Sequence, residues 1–231
     1  MHCIKDITII LPTKNESKNI ANFLYSVPCD IKLIMVDAST DKTVDIIKEI
    51  KPKNTEIYLH PGNISEARQF GSEMADTDWL LFSDADIVFN HNYFNNISKY
   101  WAFDIVYGPK LSIEEFKYYY KFISYGQLLL DTLGVPAASG SNLLIRKSLY
   151  ERGGGFDTEL VCNEDSEIVW RLKEPDIKVA FAPDLAVYAT DHRRLYKGKI
   201  KKTIHSLARC SLLYLDIMPD KWRGKDWGYW A

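Results

Sequence analysis

The first half of the chain alternates short apolar runs with amphipathic stretches of helical period. DITIILP (6–12), KLIMVD (32–37), TEIYLH (55–60) and WLLFSD (79–84) read as strands. SKNIANFLYSV (17–27), TVDIIKEI (43–50) and ISEARQFGSEMA (64–75) read as the helices between them, with Ser17 capping the first. Strands this short and this continuously apolar, joined by helical crossovers, predict a parallel sheet covered by helices on both faces. Pro12 and Pro61-Gly62 mark chain reversals at two strand ends.

The second half is less regular. DIVYGP (104–109) reads as a strand, followed by a long helix over 113–134 with apolar residues at 113, 116, 120, 123, 130 and 133. A Gly/Ser loop (138–142), a short strand LLIR and the cluster Gly153-Gly154-Gly155 come next. The acidic helix NEDSEIVWRLK and the strands KVAFAP and AVYAT complete this half. No Pro-, Ser- or Gly-rich linker and no repeat interrupts the chain, so one α/β domain is expected over residues 1–194. Residues 195–231 are expected to form a basic amphipathic helix and an aromatic tail docked on it.

Composition narrows the classes. Net charge is −2 over 231 residues, which gives no electrostatic argument for nucleic acid. No run of 18 apolar residues exists, and the N-terminus lacks a signal-peptide core, so a cytoplasmic protein is expected. Four scattered cysteines without a C-x-x-C pair fit reduced structural thiols.

The candidate chemistry lies where parallel sheets bind ligands, beyond the C-terminal ends of the strands. Thr13 to Glu16 follow the first strand, Asp37 to Asp41 the second, and Asp84-Ala85-Asp86 the fourth. Any one of these could be a helix cap, but three strand ends converging on one crevice imply a site. In extended backbone Asp84 and Asp86 would point to one face, where two carboxylates repel unless a cation lies near. Mg²⁺ or Mn²⁺ prefers such oxygen ligands and leaves positions for phosphate oxygens.

The segments ILPTKNES, VDASTDKT, PGNISEARQFG, LLFSDAD, SGSNLLIRKSLYERGGGFDTEL and NEDSEIVWRL, in this order over residues 6–194, resemble the nucleotide-sugar-dependent glycosyltransferases of family 2. The resemblance implies a GT-A fold: a Rossmann-like, mostly parallel central sheet with flanking helices. It implies that Pro12, Thr13 and Glu16 line the nucleotide pocket, that Asp37 accepts from the base, and that Arg68 lies near base or diphosphate. It places Asp84 at ribose and metal, Asp86 as the main metal ligand of this D-x-D motif, and His192 as a further ligand. Asp165, beside Glu164, becomes the general base, and Gly140 to Asn142 lets backbone approach the sugar or acceptor. Gly154 to Asp157 resembles an architectural turn of the family. The Q-x-x-R-W signature of processive relatives is absent, with HRRLY in its place, so transfer of a single sugar with inversion is implied. The donor would be a nucleoside-diphosphate sugar, and the acceptor a glycan or a lipid-linked molecule.

From His192 to Leu215 there is no acid, while Arg193, Arg194, Lys197, Lys199, Lys201, Lys202 and Arg209 are basic. Ile200, Ile204, Leu207, Ala208, Leu212 and Leu215 recur at helical spacing. This is the pattern of a membrane-surface helix, and the tryptophans of DKWRGKDWGYW suit a bilayer interface. Peripheral membrane contact through residues 193–230 is one expectation. A helix docked with its basic side in solvent is another, and a basic face over the diphosphate is a third.

Two other readings remain at this level. A haloacid dehalogenase-type phosphatase also ends an apolar strand in D-x-D, with Asp84 as nucleophile and Asp86 as acid. A nucleotide-sugar-binding module without catalysis would keep the same pocket.

Overall fold

The computed structural model describes residues 3–225. In chain order the elements are β1 (Ile7–Thr13), α1 (Ile20–Ser26), β2 (Lys32–Asp37), α2 (Thr43–Ile50), β3 (Thr55–Leu59), α3 (Ile64–Met74) and β4 (Trp79–Ser83). Then come β5 (Ile87–Phe89), α4 (Tyr93–Asn96), β6 (Ile105–Tyr107), β7 (Lys110–Leu111), α5 (Lys117–Thr132), β8 (Asn142–Arg146) and α6 (Lys147–Arg152). The chain continues through α7 (Glu164–Leu172), β9 (Val179–Phe181), β10 (Val187–Ala189), α8 (Arg193–Tyr196), α9 (Lys199–Tyr214) and α10 (Asp220–Arg223).

Seven strands form the main sheet in the order β3-β2-β1-β4-β8-β6-β9. β1, β2, β3 and β4 pair in parallel, as the pattern predicts, whereas β8 runs antiparallel to both β4 and β6. Residues of β1 alternate between two apolar layers. Ile9 and Leu11 pack with Phe23 and Leu24 of α1, and Ile10 packs on the α3 side. Gly71 of α3 is what lets that helix lie on the sheet, because a Cβ there would stand 2.7 Å from Ile10 Cγ2.

Several expected boundaries move. The first helix begins at Ile20 with Asn19 before it, and Ser17 instead donates its backbone N–H to Asp41. The expected strand over 104–109 stops at Tyr107, and Lys110–Leu111 joins a second sheet of order β5-β10-β7. β5 and the placement of AVYAT in this small sheet escaped the sequence, because strands this short carry no readable alternation. The small sheet positions the site. Ala189 pairs with Ile87, and Thr190 donates its N–H to the Asp86 carbonyl at 2.8 Å, which carries the following Asp191 to Arg194 alongside Asp86.

The C-terminal helix packs on the domain, but with the opposite side inward from that expected of a docked amphipathic helix. Arg209 is fully buried, and its guanidinium donates to the carbonyls of Trp222 and Lys225 at 3.0 and 2.6 Å. Asn163 Nδ2 reaches Ser206 Oγ and Cys210 Sγ, and Trp170 meets the Tyr214 ring edge-on. Ile200, Ile204, Leu207 and Leu215 face outward. The inward-facing hydroxyl and thiol find a partner on the domain in Asn163, and the Arg209 guanidinium is satisfied by carbonyls of the segment that folds back after the helix. Trp227, Tyr229 and Trp230 of the expected aromatic tail lie outside the described residues.

Candidate active site

The strand ends of β1, β2 and β4 open onto one crevice with two lobes that share Lys14, Gly62, Asn63, Asp84, Asp86 and Arg194. One lobe, about 500 Å³, is walled by Pro12, Thr13, Glu16, Ala38 and His60. The other, about 380 Å³, is walled by Arg68, Lys110, Ser141, Glu164, Asp165 and Lys202. Sites of this size hold ligands of drug-like to cofactor dimensions.

Arg68 organises the second lobe. The Asn63 side chain caps α3 by accepting from the N–H groups of Ser65 and Glu66, while Glu66 accepts from the Asn63 N–H. That fixes the helix start and aims Arg68 inward, where it is 2% exposed. Its guanidinium donates to Asp84 Oδ1 at 2.8 Å and to Glu164 Oε1. Asp84 also accepts from Ser141 Oγ. Burial alone would raise the Asp84 pKa, but Arg68 and Lys110 hold it below the usual carboxylate range.

Asp165 sits at the start of α7, entered through Asn163 with φ of 64°. Asparagine tolerates this left-handed conformation better than other side chains with a Cβ. Asp165 accepts from the Gly140 N–H at 2.7 Å and from the Ser166 N–H. Burial raises its pKa, against the opposing charge of Arg68. Burial likewise pushes Glu164 up to about 7. A carboxylate held in place by backbone donors, with a raised pKa, is equipped to take a proton.

Asp84 and Asp86 both face the crevice, on a turn between β4 and β5 rather than in extended backbone. Asp86 pairs with Lys110 Nζ at 2.9 Å. Lys110, which the sequence reading missed, begins β7 directly after Gly108-Pro109; its position past a strand end was the available signal. The rim is cationic. Arg193 pairs with Glu16, whose own pKa is raised by burial. Lys202 of α9 is brought down to about 8 by burial and by the charges of Lys110 and Arg194.

Three expected residues take other places. Asp37 is 2% exposed and turned into the loops, accepting from Thr13 Oγ1 at 2.6 Å and from the Ser39 N–H and hydroxyl. Having three donors within reach, it holds the two strand-end loops together and leaves Thr13 and Ala38 to wall the crevice. Gly140 is buried against Arg68 rather than open to a ligand: a Cβ there would lie 2.3 Å from Nη2. His192 lines the crevice, but its ring turns toward α5, with Tyr120 Oη 3.3 Å from Nδ1 and Ser112 Oγ 3.5 Å from Nε2. Among the described residues no group of three His, Cys, Asp or Glu side chains is gathered to hold a metal ion, and His192 is not grouped with Asp84 and Asp86 in this arrangement. Two carboxylates still fit a hard divalent cation that draws its other ligands from water and phosphate.

Gly140→Ala is expected to push the Arg68 guanidinium off its two carboxylates, costing about 1–3 kcal/mol of stability by overpacking. Urea unfolding of the variant would test this, and an unchanged midpoint would contradict the close packing.

A sequence model described as Glycosyl transferase family 2 matches residues 8–154. The pre-mycofactocin glycosyltransferase of Mycobacterium tuberculosis is 22% identical over 208 residues, covering 82% of this chain and 43% of that protein. The SunS glycosyltransferase of Bacillus subtilis is 36% identical over 120 residues, 48% of this chain and 28% of that protein. The chain thus spans less than half the length of these curated relatives. Among solved structures, Staphylococcus aureus TarS 1-349 in complex with UDP-GlcNAc superposes with a TM-score of 0.68 at 18% identity, over 94% of this chain and 72% of that one. The mannosyltransferase PcManGT of Pyrobaculum calidifontis, in complex with GDP-Man and Mn²⁺, gives 0.67 at 18% identity, over 95% and 72%. With the family match extending over more than half of its length and nearly the whole chain superposing on these structures, the chain belongs to glycosyltransferase family 2 and has the GT-A fold.

Proposed function

We propose that this protein transfers one sugar from a nucleoside-diphosphate sugar to an acceptor hydroxyl, with inversion at the anomeric carbon. The observation that carries the reading is the convergence, in one crevice, of a carboxylate held by backbone donors (Asp165) with a rim of cations. The lobe at Pro12, Thr13, Glu16 and His60 takes the nucleoside. Lys110, Arg193, Arg194 and Lys202 face the diphosphate and offset its charge as it leaves. Asp165 takes the proton from the acceptor hydroxyl, which attacks the anomeric carbon from the side opposite the departing diphosphate. Arg68 positions Asp84 and Glu164 along the sugar's path. Mg²⁺ or Mn²⁺ would be held by Asp86 with Asp84 and would supply further charge neutralisation on the diphosphate. A product with the donor's anomeric configuration would rule out this single displacement.

The phosphatase alternative expects its D-x-D at the end of the first strand of the domain, whereas Asp84 follows β4, after three strand–helix units. The family match also points elsewhere. The binding-module alternative differs from transfer only in turnover and is decided by the Asp165 variant discussed below.

Thermal unfolding with UDP, GDP, TDP and CDP, each with and without Mn²⁺, tests the donor site. One diphosphate, at about 100 times its Kd, is expected to stabilise by about 2.7 kcal/mol, or about 5–10 °C. Asp86→Ala should remove the part of the shift that depends on metal, and His192→Ala should leave it. No shift with any diphosphate would reject the nucleotide-sugar site.

A further inference from the structure

Helices α5 and α9 are both 16 residues long and both turn an apolar stripe to the outside. On α5, Tyr118, Phe122, Tyr125, Leu129 and Leu133 are 86, 71, 70, 60 and 69% exposed. On α9, Ile200, Ile204, Leu207 and Leu215 are 69, 63, 59 and 62% exposed, at the same offsets along the helix. The helices approach each other near their starts, where Tyr119 Oη and Thr203 Oγ1 are 3.0 Å apart and Lys202 Nζ lies 6.0 Å from the centre of the Tyr119 ring. Farther along, Trp170 of α7 bridges them, donating to the Pro136 carbonyl beyond α5 and packing against Tyr214 of α9. The two stripes flank this junction and expose apolar surface of a kind that monomeric proteins rarely leave to water.

Charge decides what covers it. Lys117, Lys121, Lys197, Lys199 and Lys201 are exposed around the stripes. The acids of this region lie at its ends, Glu114 and Glu115 before α5 and Asp216 after α9, apart from Asp131, which accepts from Tyr107. Two copies of this face pressed together would set lysine against lysine. An anionic bilayer would instead attract these lysines together. The tyrosines Tyr118, Tyr125, Tyr196 and Tyr214 suit the headgroup layer, with an apolar ring and a polar tip.

We infer that α5 and α9 together form a docking face that seats the protein on an anionic membrane surface. The inner sides of the same helices, through Tyr120, Lys202 and Ser206, wall the crevice. The crevice thus stands about one helix diameter, roughly 10 Å, from the bilayer. Docking rests on the transferase reading only for what it serves, the delivery of an acceptor carried on a lipid.

The test is flotation with phosphatidylcholine vesicles, with and without about one-third phosphatidylglycerol, at low and high salt. Binding is expected to the anionic vesicles at low salt and to weaken at high salt. The paired substitutions Phe122→Glu with Leu129→Glu on α5, and Ile204→Glu with Leu207→Glu on α9, should each lower partitioning about tenfold or more. All four positions are exposed, and an unchanged thermal midpoint would confirm intact folding. Failure of the wild-type protein to float with anionic vesicles would overturn the inference. So would indifference to the α5 pair, or light scattering that gives a dimer split by these same pairs. Nucleoside-diphosphate shifts measured on the same samples separate the two readings: floating protein that binds no nucleotide keeps the docking face and loses the transferase.

Discussion

Asp165→Asn is expected to lower kcat by about 10²–10⁴-fold, equivalent to about 3–5 kcal/mol of barrier, while leaving donor affinity nearly unchanged. Asparagine keeps the shape and can still accept from the Gly140 N–H, so α7 and the loop at 138–142 should stay in register. What disappears is the acceptor's proton sink. The pH profile supplies a second signature. Burial raises the Asp165 pKa above its usual value. A base must be ionised to act, so kcat/KM should fall as pH drops through that raised pKa, above the range of an exposed aspartate. The limb should vanish in the variant. Retention of full turnover by Asp165→Asn would remove the proposed base, and an absence of turnover in the wild-type protein would favour the binding-module reading.

Arg68→Met should cost about 3–5 kcal/mol of stability, or about 6–20 °C in Tm. The methionine fills most of the volume, so the loss is electrostatic: Glu164 and Asp84 remain buried with no guanidinium between them. The sign of the pH dependence follows. Glu164 already holds its proton up to about 7 in the folded protein, above the ordinary 4.5. The folded state therefore binds more protons than the unfolded one across that window, and this site's contribution to stability falls as pH rises. Without Arg68 these carboxyls should hold their protons still higher. The deficit of the variant should be largest near pH 8 and shrink toward pH 5, an interval of about 3 units around the Glu164 titration. Equal deficits at both pH values would mean that packing, not charge, accounts for the loss.

The parallel half of the fold was legible because its strands are buried on both faces. Ile9 to Leu11 and Leu33 to Val36 are apolar throughout, and such runs stand out in a sequence. The strand-end acids were legible for a related reason, as Asp84 and Asp86 break an apolar run, whereas the role of Asp165 came from the family resemblance alone, an acid in the first turn of a helix being ordinary. The small sheet was not legible, since strands of two or three residues carry too little pattern. Asp37 and Gly140 were assigned to the ligand because their type and position fit it. Their orientation depends on Thr13, 24 residues from Asp37, and on Arg68, which packs against Gly140 only through the fold, while Ser39 holds Asp37 by a local turn.

Lys110 illustrates the same limit. Nothing local links it to Asp86, 24 residues earlier, until β7 is laid beside β10 and the β4–β5 turn swings the acid toward it. The C-terminal helix is the sharpest case. Its sequence determined a helix with one basic-polar and one apolar side, because period and charge are properties of the chain alone. Which side faces the protein is a competition between surfaces, and only the tertiary structure decided it. The domain offers Asn163 to Ser206 and Cys210, and the segment after the helix folds back to offer Arg209 the carbonyls of Trp222, Arg223 and Lys225. The polar side is therefore buried around the crevice, and the apolar side is left facing out beside that of α5.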